Sequence, residues 1–269
     1  MTEQECIIRL KNIFFTPKEQ GIFTRKKSGK TVLKNISAEF KRNVISGISG
    51  ESGSGKTTMA KLIAGIIKPD SGFLHFNFEN SWSNYTTKPV QILFQNTENI
   101  LHPLRTVNEL IEEAIGICVR QSRILKFTPE ELFRTLNIND DIRGKKGINL
   151  SGGERQRAAL ARIIAVHPEV LILDEPFAAQ DFQSAKNLIG VLQNLNSAFN
   201  ITIIVIAHNL TLLKNLCDEI FILYRGELIE SGHTMKIFNT PSHTYTKFLL
   251  RAENYNLSAE ELKSFPGDL

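Results

Sequence analysis

The sequence predicts an α/β fold: a mostly parallel sheet with an antiparallel β portion and an inserted helical subdomain. Three observations carry that prediction. Through the C-terminal half, apolar runs of strand length alternate with amphipathic helical stretches, the pattern of parallel strands buried on both faces. A glycine-rich turn, Gly50-Glu51-Ser52-Gly53-Ser54-Gly55-Lys56-Thr57-Thr58, lies between an apolar strand and a helical stretch. From residue 97 to about 149 the strand character disappears and helical spacing takes over.

In chain order, Cys6 to Ile13 and Val32 to Phe40 read as short alternating strands, joined by a Lys/Gly/Ser-bearing connection from Pro17 to Thr31. Asn43 to Ile48 is the strand before the glycine-rich turn, and Thr57 to Ile67 the helix after it. Lys68-Pro69-Asp70-Ser71-Gly72 is a turn cluster. Gly72 to Phe78 and Pro89 to Phe94 are strands, the second ending at Gln95. Thr106 with Glu109 forms a capping box ahead of an apolar stripe of Leu110, Ile111, Ala114, Ile115 and Cys118, and Thr128-Pro129-Glu130-Glu131 opens another helix. Alternation then resumes: helix Gly153 to Ala165, strand Val170 to Leu173, helix Phe182 to Phe199, strand Ile201 to Ile206, helix Leu210 to Leu216, strand Glu219 to Tyr224 and a hairpin partner Glu227 to Glu230. This divides the chain into a core of residues 1–96 and 151–235, a helical insertion of 97–150 and a tail of 236–269 with two short helical patches.

Bulk properties narrow the functional classes. The 269 residues suit one large α/β domain with an insertion. A net charge of +4 is small and its Lys and Arg residues are scattered, apart from Arg25-Lys26-Lys27 with Lys30, which reads as a solvated loop. No nucleic-acid partner is expected. Cys6, Cys118 and Cys217 lie far apart and suggest free thiols in a reducing cytosol. The polar, acidic start Met1-Thr2-Glu3-Gln4-Glu5 is unlike a signal peptide. With no apolar run of roughly 18 residues, membrane association is expected only through a partner.

The glycine-rich turn fits the phosphate-loop pattern G-x-x-x-x-G-K-[ST] through Gly50, Gly55, Lys56 and Thr57. Glycines admit positive φ and close approach of the backbone to an anion. Successive amides then form a nest, and the helix that follows adds the positive end of its dipole. Gly50, Ser52, Gly53, Ser54, Gly55, Lys56, Thr57 and Thr58 are therefore the candidate phosphate site, with Lys56 on the β- and γ-phosphates and the Thr57 hydroxyl on magnesium. Val170-Leu171-Ile172-Leu173-Asp174-Glu175 is an apolar strand ending in two carboxylates, and ligands gather at the carboxyl ends of parallel strands. Asp174 is placed to reach the magnesium, and Glu175 to polarise an attacking water.

Leu150-Ser151-Gly152-Gly153-Glu154, ahead of Asp174-Glu175-Pro176, resembles the signature sequence of ABC-type ATPases. The order of motifs is similar too: phosphate loop, Gln95, signature, Asp174-Glu175, a loop ending in Asp181, and His208 after a strand. The resemblance covers roughly Ile7 to Leu250. It implies a P-loop NTPase with a RecA-like sheet, and a mechanism that one chain cannot complete: two cassettes face each other head to tail, with ATP between the phosphate loop of one and the Ser-Gly-Gly of the other. Carried over, Ser151, Gly152 and Gly153 bind the γ-phosphate across the interface. Gln95 contacts magnesium and senses the transmembrane partner, His208 contacts the γ-phosphate, and Glu175 is the general base. Asp181 belongs to the nucleotide site, and Phe15, in Phe15-Thr16-Pro17 ahead of Gly21-Ile22-Phe23, resembles the aromatic that stacks on adenine.

Two departures stand out. The family's usual Ser-Ala-Leu-Asp reads Ala178-Ala179-Gln180-Asp181, which loses the hydroxyl, and Gly144-Lys145-Lys146-Gly147-Ile148-Asn149 lacks the proline-bearing segment common in importers. Both lie where subunits communicate.

Within the family, under a hundred residues between Lys56 and Ser151 leave no room for the coiled-coil arms of DNA-repair relatives, and a single cassette does not fit the tandem translation-factor class. An exporter subunit remains an alternative. Ile237 to Lys247, with Pro241, His243, Tyr245 and Thr246, is similar to the stretch after the cassette in the dipeptide, oligopeptide and nickel importer branch, as are Leu101 to Arg105 and the Phe15 to Phe23 loop. The resemblance implies an ATPase subunit on the cytoplasmic face of the membrane. Its partners would be a second, paralogous cassette, two permeases and, indirectly, an extracytoplasmic binding protein; its cargo would be peptides, nickel or a metal chelate. With no C-terminal cysteine cluster, no iron-sulfur centre is expected.

Overall fold

A computed structural model describes residues 5–17, 29–79, 87–94, 100–121, 125–178 and 180–253. Among these, two sheets form the framework. The first is antiparallel, in the order β2-β1-β4, from β1 (Cys6–Phe15), β2 (Leu33–Lys41) and β4 (Ser71–Phe76). The second has six strands in the order β5-β6-β7-β3-β8-β9, from β3 (Ile45–Gly50), β5 (Val90–Leu93), β6 (Val170–Asp174), β7 (Thr202–Ile206), β8 (Glu219–Tyr224) and β9 (Glu227–His233). All its neighbours pair in parallel except the β8-β9 hairpin.

The period of two in the buried strands builds two cores. Val170 and Ile172 of β6, Ile204 and Ile206 of β7 and Leu223 of β8 face the antiparallel sheet and α1 (Lys56–Ile63), joining Ile8, Leu10, Phe40 and Met59. Leu171, Leu173, Ile203, Val205 and Ile222 face the other way. There they meet α2 (Val107–Arg120), α3 (Pro129–Thr135), α4 (Asp140–Gly144), α5 (Gly152–Ile164), α6 (Phe182–Phe199) and α7 (Leu210–Leu216). The chain continues into α8 (Thr234–Asn239) and α9 (Thr244–Glu253). No helix among the described residues is long and apolar enough to cross a membrane.

Several elements fall where the sequence places them, with instructive shifts. Helix α6 has the predicted bounds because Asp181 caps its start, accepting from the Ser184 amide, and Asn200 ends it in a left-handed conformation (φ 52°). The capping box at Thr106 forms as expected, and the helix that opens at Thr128 proves to carry one too. Helix α1 stops at Ile63, four residues short of the expectation: Gly65 takes φ 66°, and the amides of Gly65 and Ile66 bond back to Leu62 O and Lys61 O, closing the helix end. Strand β3 begins two residues late because Asn43 turns with φ 59°, and it runs on to Gly50, paired with Leu223.

Candidate functional site

The strand order brings together three carboxyl ends that are remote in sequence. β6, β7 and β3 are consecutive in the sheet, so the turn after β3, the residues after β7 and the acidic pair at the end of β6 emerge side by side.

The turn after β3 is fixed by contacts that exclude side chains. A Cβ on Gly50 (φ 147°) would stand 2.0 Å from Leu223 O, and one on Gly55 (φ 106°) 2.6 Å from Leu33 Cδ2. Gly55 is the N-cap of α1, and no side chain caps that helix end. The buried Ser54 hydroxyl has no hydrogen-bond partner among the described residues. Lys56 Nζ folds over the turn, donating to Gly50 O at 2.8 Å and Glu51 O at 2.7 Å. Burial lowers the Lys56 pKa, against the pull of Glu175, Asp174 and Glu51. A buried ammonium held by neutral carbonyls, beside an uncapped helix start, is suited to an anion.

Thr57 Oγ1 donates to Asp174 Oδ2 at 2.9 Å. Burial raises the Asp174 pKa; the Thr57 bond lowers it, the neighbouring Glu175 raises it, and Lys56 and Lys61 lower it. A buried carboxylate beside an exposed hydroxyl is a hard-oxygen pair that fits a small divalent cation. Among the described residues no group of three or more His, Cys, Asp or Glu could hold a metal, so such a cation would draw further ligands from phosphate and water, as magnesium commonly does.

Glu175 leaves β6 with φ 54°, its amide donating to Ile206 O at 2.9 Å. That turn carries its carboxylate to His208, whose Nδ1 lies 3.0 Å from Oε2. The His208 side chain is 74% exposed and that of Glu175 20%, so this pair faces solvent at the rim while Asp174 lies deeper. With its proton on Nδ1, the imidazole donates to the carboxylate.

Ser151, Gly152 and Gly153 are exposed at the start of α5. Ser151 is its N-cap: Glu154 Oε2 accepts from the Ser151 amide at 2.9 Å, the Ser151 hydroxyl accepts from the Glu154 amide at 3.4 Å, and Lys145 Nζ holds Glu154 Oε1 at 3.0 Å. These bonds keep the Glu154 carboxyl below its ordinary value, the Ser151 amide contributing most. Gly152 faces open space. A cleft of about 1280 Å³ runs from Gly152 and Gly153 to Asp174, Glu175 and Asp181. Asp181, in that cleft, accepts from the hydroxyl of Ser184 at 2.7 Å and from its amide at 2.9 Å, which lowers its pKa.

The structure also draws in residues that sequence reasoning passed over. Gln156 Nε2 donates to Pro176 O at 2.8 Å, and Gln180 Nε2 donates to Gln156 Oε1 at 2.6 Å and to Pro176 O at 3.0 Å. This clasp ties the helix behind Ser151 to the turn after Glu175. Its signal was the amide at position 180, where the family's pattern has leucine.

Phe15 ends β1 half-buried, its carbonyl accepting from the Val32 amide at 2.8 Å. Val32 O in turn stands 3.2 Å from where a Gly55 Cβ would be, so Phe15 lies one strand from the turn. Phe14 is 39% exposed. Ser52, Gly53 and Thr57 are exposed, and Thr58 is half-buried. Gln95, Ala179 and the loop bearing Gly21, Phe23 and Arg25 to Lys27 lie outside the described residues.

Comparison with known proteins follows the same lines. The family profile described as ABC transporter matches residues 33–178. The dipeptide transport ATP-binding protein DppF of Haemophilus influenzae is 29% identical over 264 residues, covering 93% of this chain and 79% of that one. The oligopeptide transport ATP-binding protein AppF of Bacillus subtilis is 29% identical over 258 residues, covering 92% and 78%. Among solved structures, cbiO1 of Clostridium perfringens, part of the ABC transporter complex cbiONQ, superposes with a TM-score of 0.71 at 23% identity, covering 97% of this chain and 100% of that one. The ATP-binding cassette MJ0796, solved as a dimer in a post-hydrolysis state with ADP and Pi, gives a TM-score of 0.66 at 24% identity, covering 85% and 99%. With its phosphate loop, paired carboxylates and signature helix on that fold, the chain belongs to the ABC transporter family, as an ATP-binding and ATP-hydrolysing cassette.

Proposed function

We propose that this cassette drives a peptide importer, and that ATP is hydrolysed between its own phosphate loop and the signature tip of a second cassette. The observation that carries the reading is the meeting of Lys56, Thr57, Asp174, Glu175 and His208 at three adjacent strand ends. Lys56 leaves the Gly50 and Glu51 carbonyls to neutralise the β- and γ-phosphates, while the turn amides and the start of α1 hold their oxygens. Thr57 and Asp174, with Gln95, would hold Mg2+, which would offset the negative charge of the phosphates.

Glu175 accepts a proton from water as the water oxygen bonds to the γ-phosphorus. The bond from phosphorus to the β,γ-bridging oxygen breaks and leaves its electron pair on ADP. His208 steadies Glu175 and touches the γ-phosphate, Asp181 closes the near edge of the site, and Phe15 stacks on adenine. Ser151, Gly152 and Gly153 serve the partner's nucleotide, consistent with their exposure. Closure around ATP and reopening after hydrolysis then move the attached permeases.

Glu175→Gln tests the chemistry. ATP turnover is expected to fall about 10²- to 10⁴-fold with nucleotide affinity retained, and undiminished turnover would remove Glu175 as the base.

Peptide is the assigned cargo because it is the cargo in the names of both relatives. Uptake of labelled dipeptides and oligopeptides, set against chelated nickel, in cells lacking this chain decides it. A paralogous second cassette, two permeases and an extracytoplasmic binding protein complete the proposed assembly, which places this chain peripherally on the cytoplasmic face. Equal trapping of homodimer and heterodimer by Glu175→Gln with ATP would count against the paralogue.

A further inference from the structure

The C-terminal helix α9 follows the Pro241-Ser242-His243-Thr244-Tyr245-Thr246 stretch, to which the hydrolytic scheme gives no task. Its start is pinned by Glu230 of β9, whose carboxylate accepts from the Ser242 amide at 2.6 Å and the His243 amide at 3.1 Å. One residue into the helix, the buried Tyr245 stacks on Tyr224 with ring centroids 4.1 Å apart. Tyr224 ends β8. The next turn returns to the phosphate loop, where the Gly226 amide donates to Ser54 O at 3.1 Å. The phenol of Tyr245 also feels the loop: burial raises its pKa, and the Glu51 charge raises it further.

The far end of α9 is fixed as firmly. Glu253 Oε2 accepts from the Leu210 amide at 2.9 Å, and Oε1 from the Thr211 amide at 2.7 Å. These are the second and third residues after His208, whose ring lies against Glu175. The ten residues of α9 span about 15 Å, with one end on the back of the phosphate loop and the other on the turn that carries the histidine.

We propose that α9 is a positioning strut of the hydrolytic site, in which Glu253 sets the His208 turn and Tyr245 backs the phosphate loop. The inference rests on Glu175 and His208 acting together in hydrolysis. Losing two charge-assisted bonds frees the backbone after His208 and loosens its contact with Glu175. Nucleotide binding, which depends mainly on the Lys56 side of the site, changes less than turnover does. The strut also supplies a route for control, because displacing α9 would change turnover from outside the nucleotide cleft.

The test is the ring resonance of His208 in the full-length chain labelled at histidine, assigned by its disappearance in His208→Gln. Glu175→Ala defines the position of the freed ring. In Glu253→Ala the resonance is expected to move towards that position, while those of His75, His102 and His167 stay in place. Glu253→Gln, which keeps one acceptor oxygen, is expected between the two and carries the test alone if the alanine variant fails to fold. In the assembled transporter, turnover is expected to fall about tenfold in Glu253→Ala, with a smaller change in the KM for ATP. A His208 resonance unmoved in both variants overturns the strut. Wild-type turnover in Glu175→Ala overturns the hydrolytic reading beneath it, whatever Glu253 does.

Discussion

Two helix starts in this molecule present glycines, and they are built in opposite ways. At α1, Gly50 and Gly55 are locked by the backbone of β8 and the side chain of Leu33, no side chain caps the helix, and the lysine inside the turn is buried. At α5, Gly152 faces open space, Ser151 and Glu154 complete a reciprocal cap, and the whole tip is exposed. The first helix leaves its amides for an anion and is closely walled; the second is already capped and stands at the open margin of a wide cleft. One is closed by the chain's own packing, and the other is left exposed by it. The same residue type thus serves close packing in one place and outside access in the other.

The sharpest way to break that contrast is a matched pair of substitutions. Gly50→Ala must displace Leu223 O and should lower unfolding free energy by more than about 4 kcal/mol, whereas Gly152→Ala should stay within about 0.5 kcal/mol of wild type. Urea unfolding followed by circular dichroism reads both, and equal losses would erase the distinction. Next comes Lys56→Ala. Removing the buried ammonium should cost about 2–5 kcal/mol of nucleotide binding, at least thirtyfold in Kd, in equilibrium titrations with a fluorescent ATP analogue. Unchanged affinity would contradict the cradle.

The smallest effect is a pH dependence at Asp174. Its carboxyl is raised mainly by burial, so the folded chain binds this proton more tightly than the unfolded chain does. Across the window between the ordinary carboxylate value and the raised one, this group's contribution to stability declines as pH rises. In the proposed scheme Mg2+-ATP binds the ionised form, so affinity should weaken as pH falls through the same window. Asp174→Asn should flatten that slope, as measured by titrations with and without Mg2+.

What the sequence could disclose follows from where each contact comes from. The phosphate-loop spacing, the acidic strand end and the bounds of α6 depend on residues a few positions apart, and local chemistry specifies them. The seat of His208 against Glu175 depends on β7 lying beside β6, which no pattern within either strand encodes. The Gln156-Gln180 clasp joins side chains 24 residues apart, and the grip of Glu253 spans 43. Gly65 is different, since its closing turn is local and could have been read from the glycine ahead of Ile66 and Ile67. An apolar run after it outweighed the glycine.

The place of β3 in the sheet also has a consequence for synthesis. Both its neighbours, β7 and β8, come late: Ile45 pairs with Ile203 and Gly47 with Ile220. At the usual translation rate of about 5–20 residues per second, this apolar strand waits on the order of ten seconds for its first pairing partner to leave the ribosome. During that interval the phosphate loop lacks both of the strands that frame it in the sheet, and any message truncated before codon 202 yields a product without them.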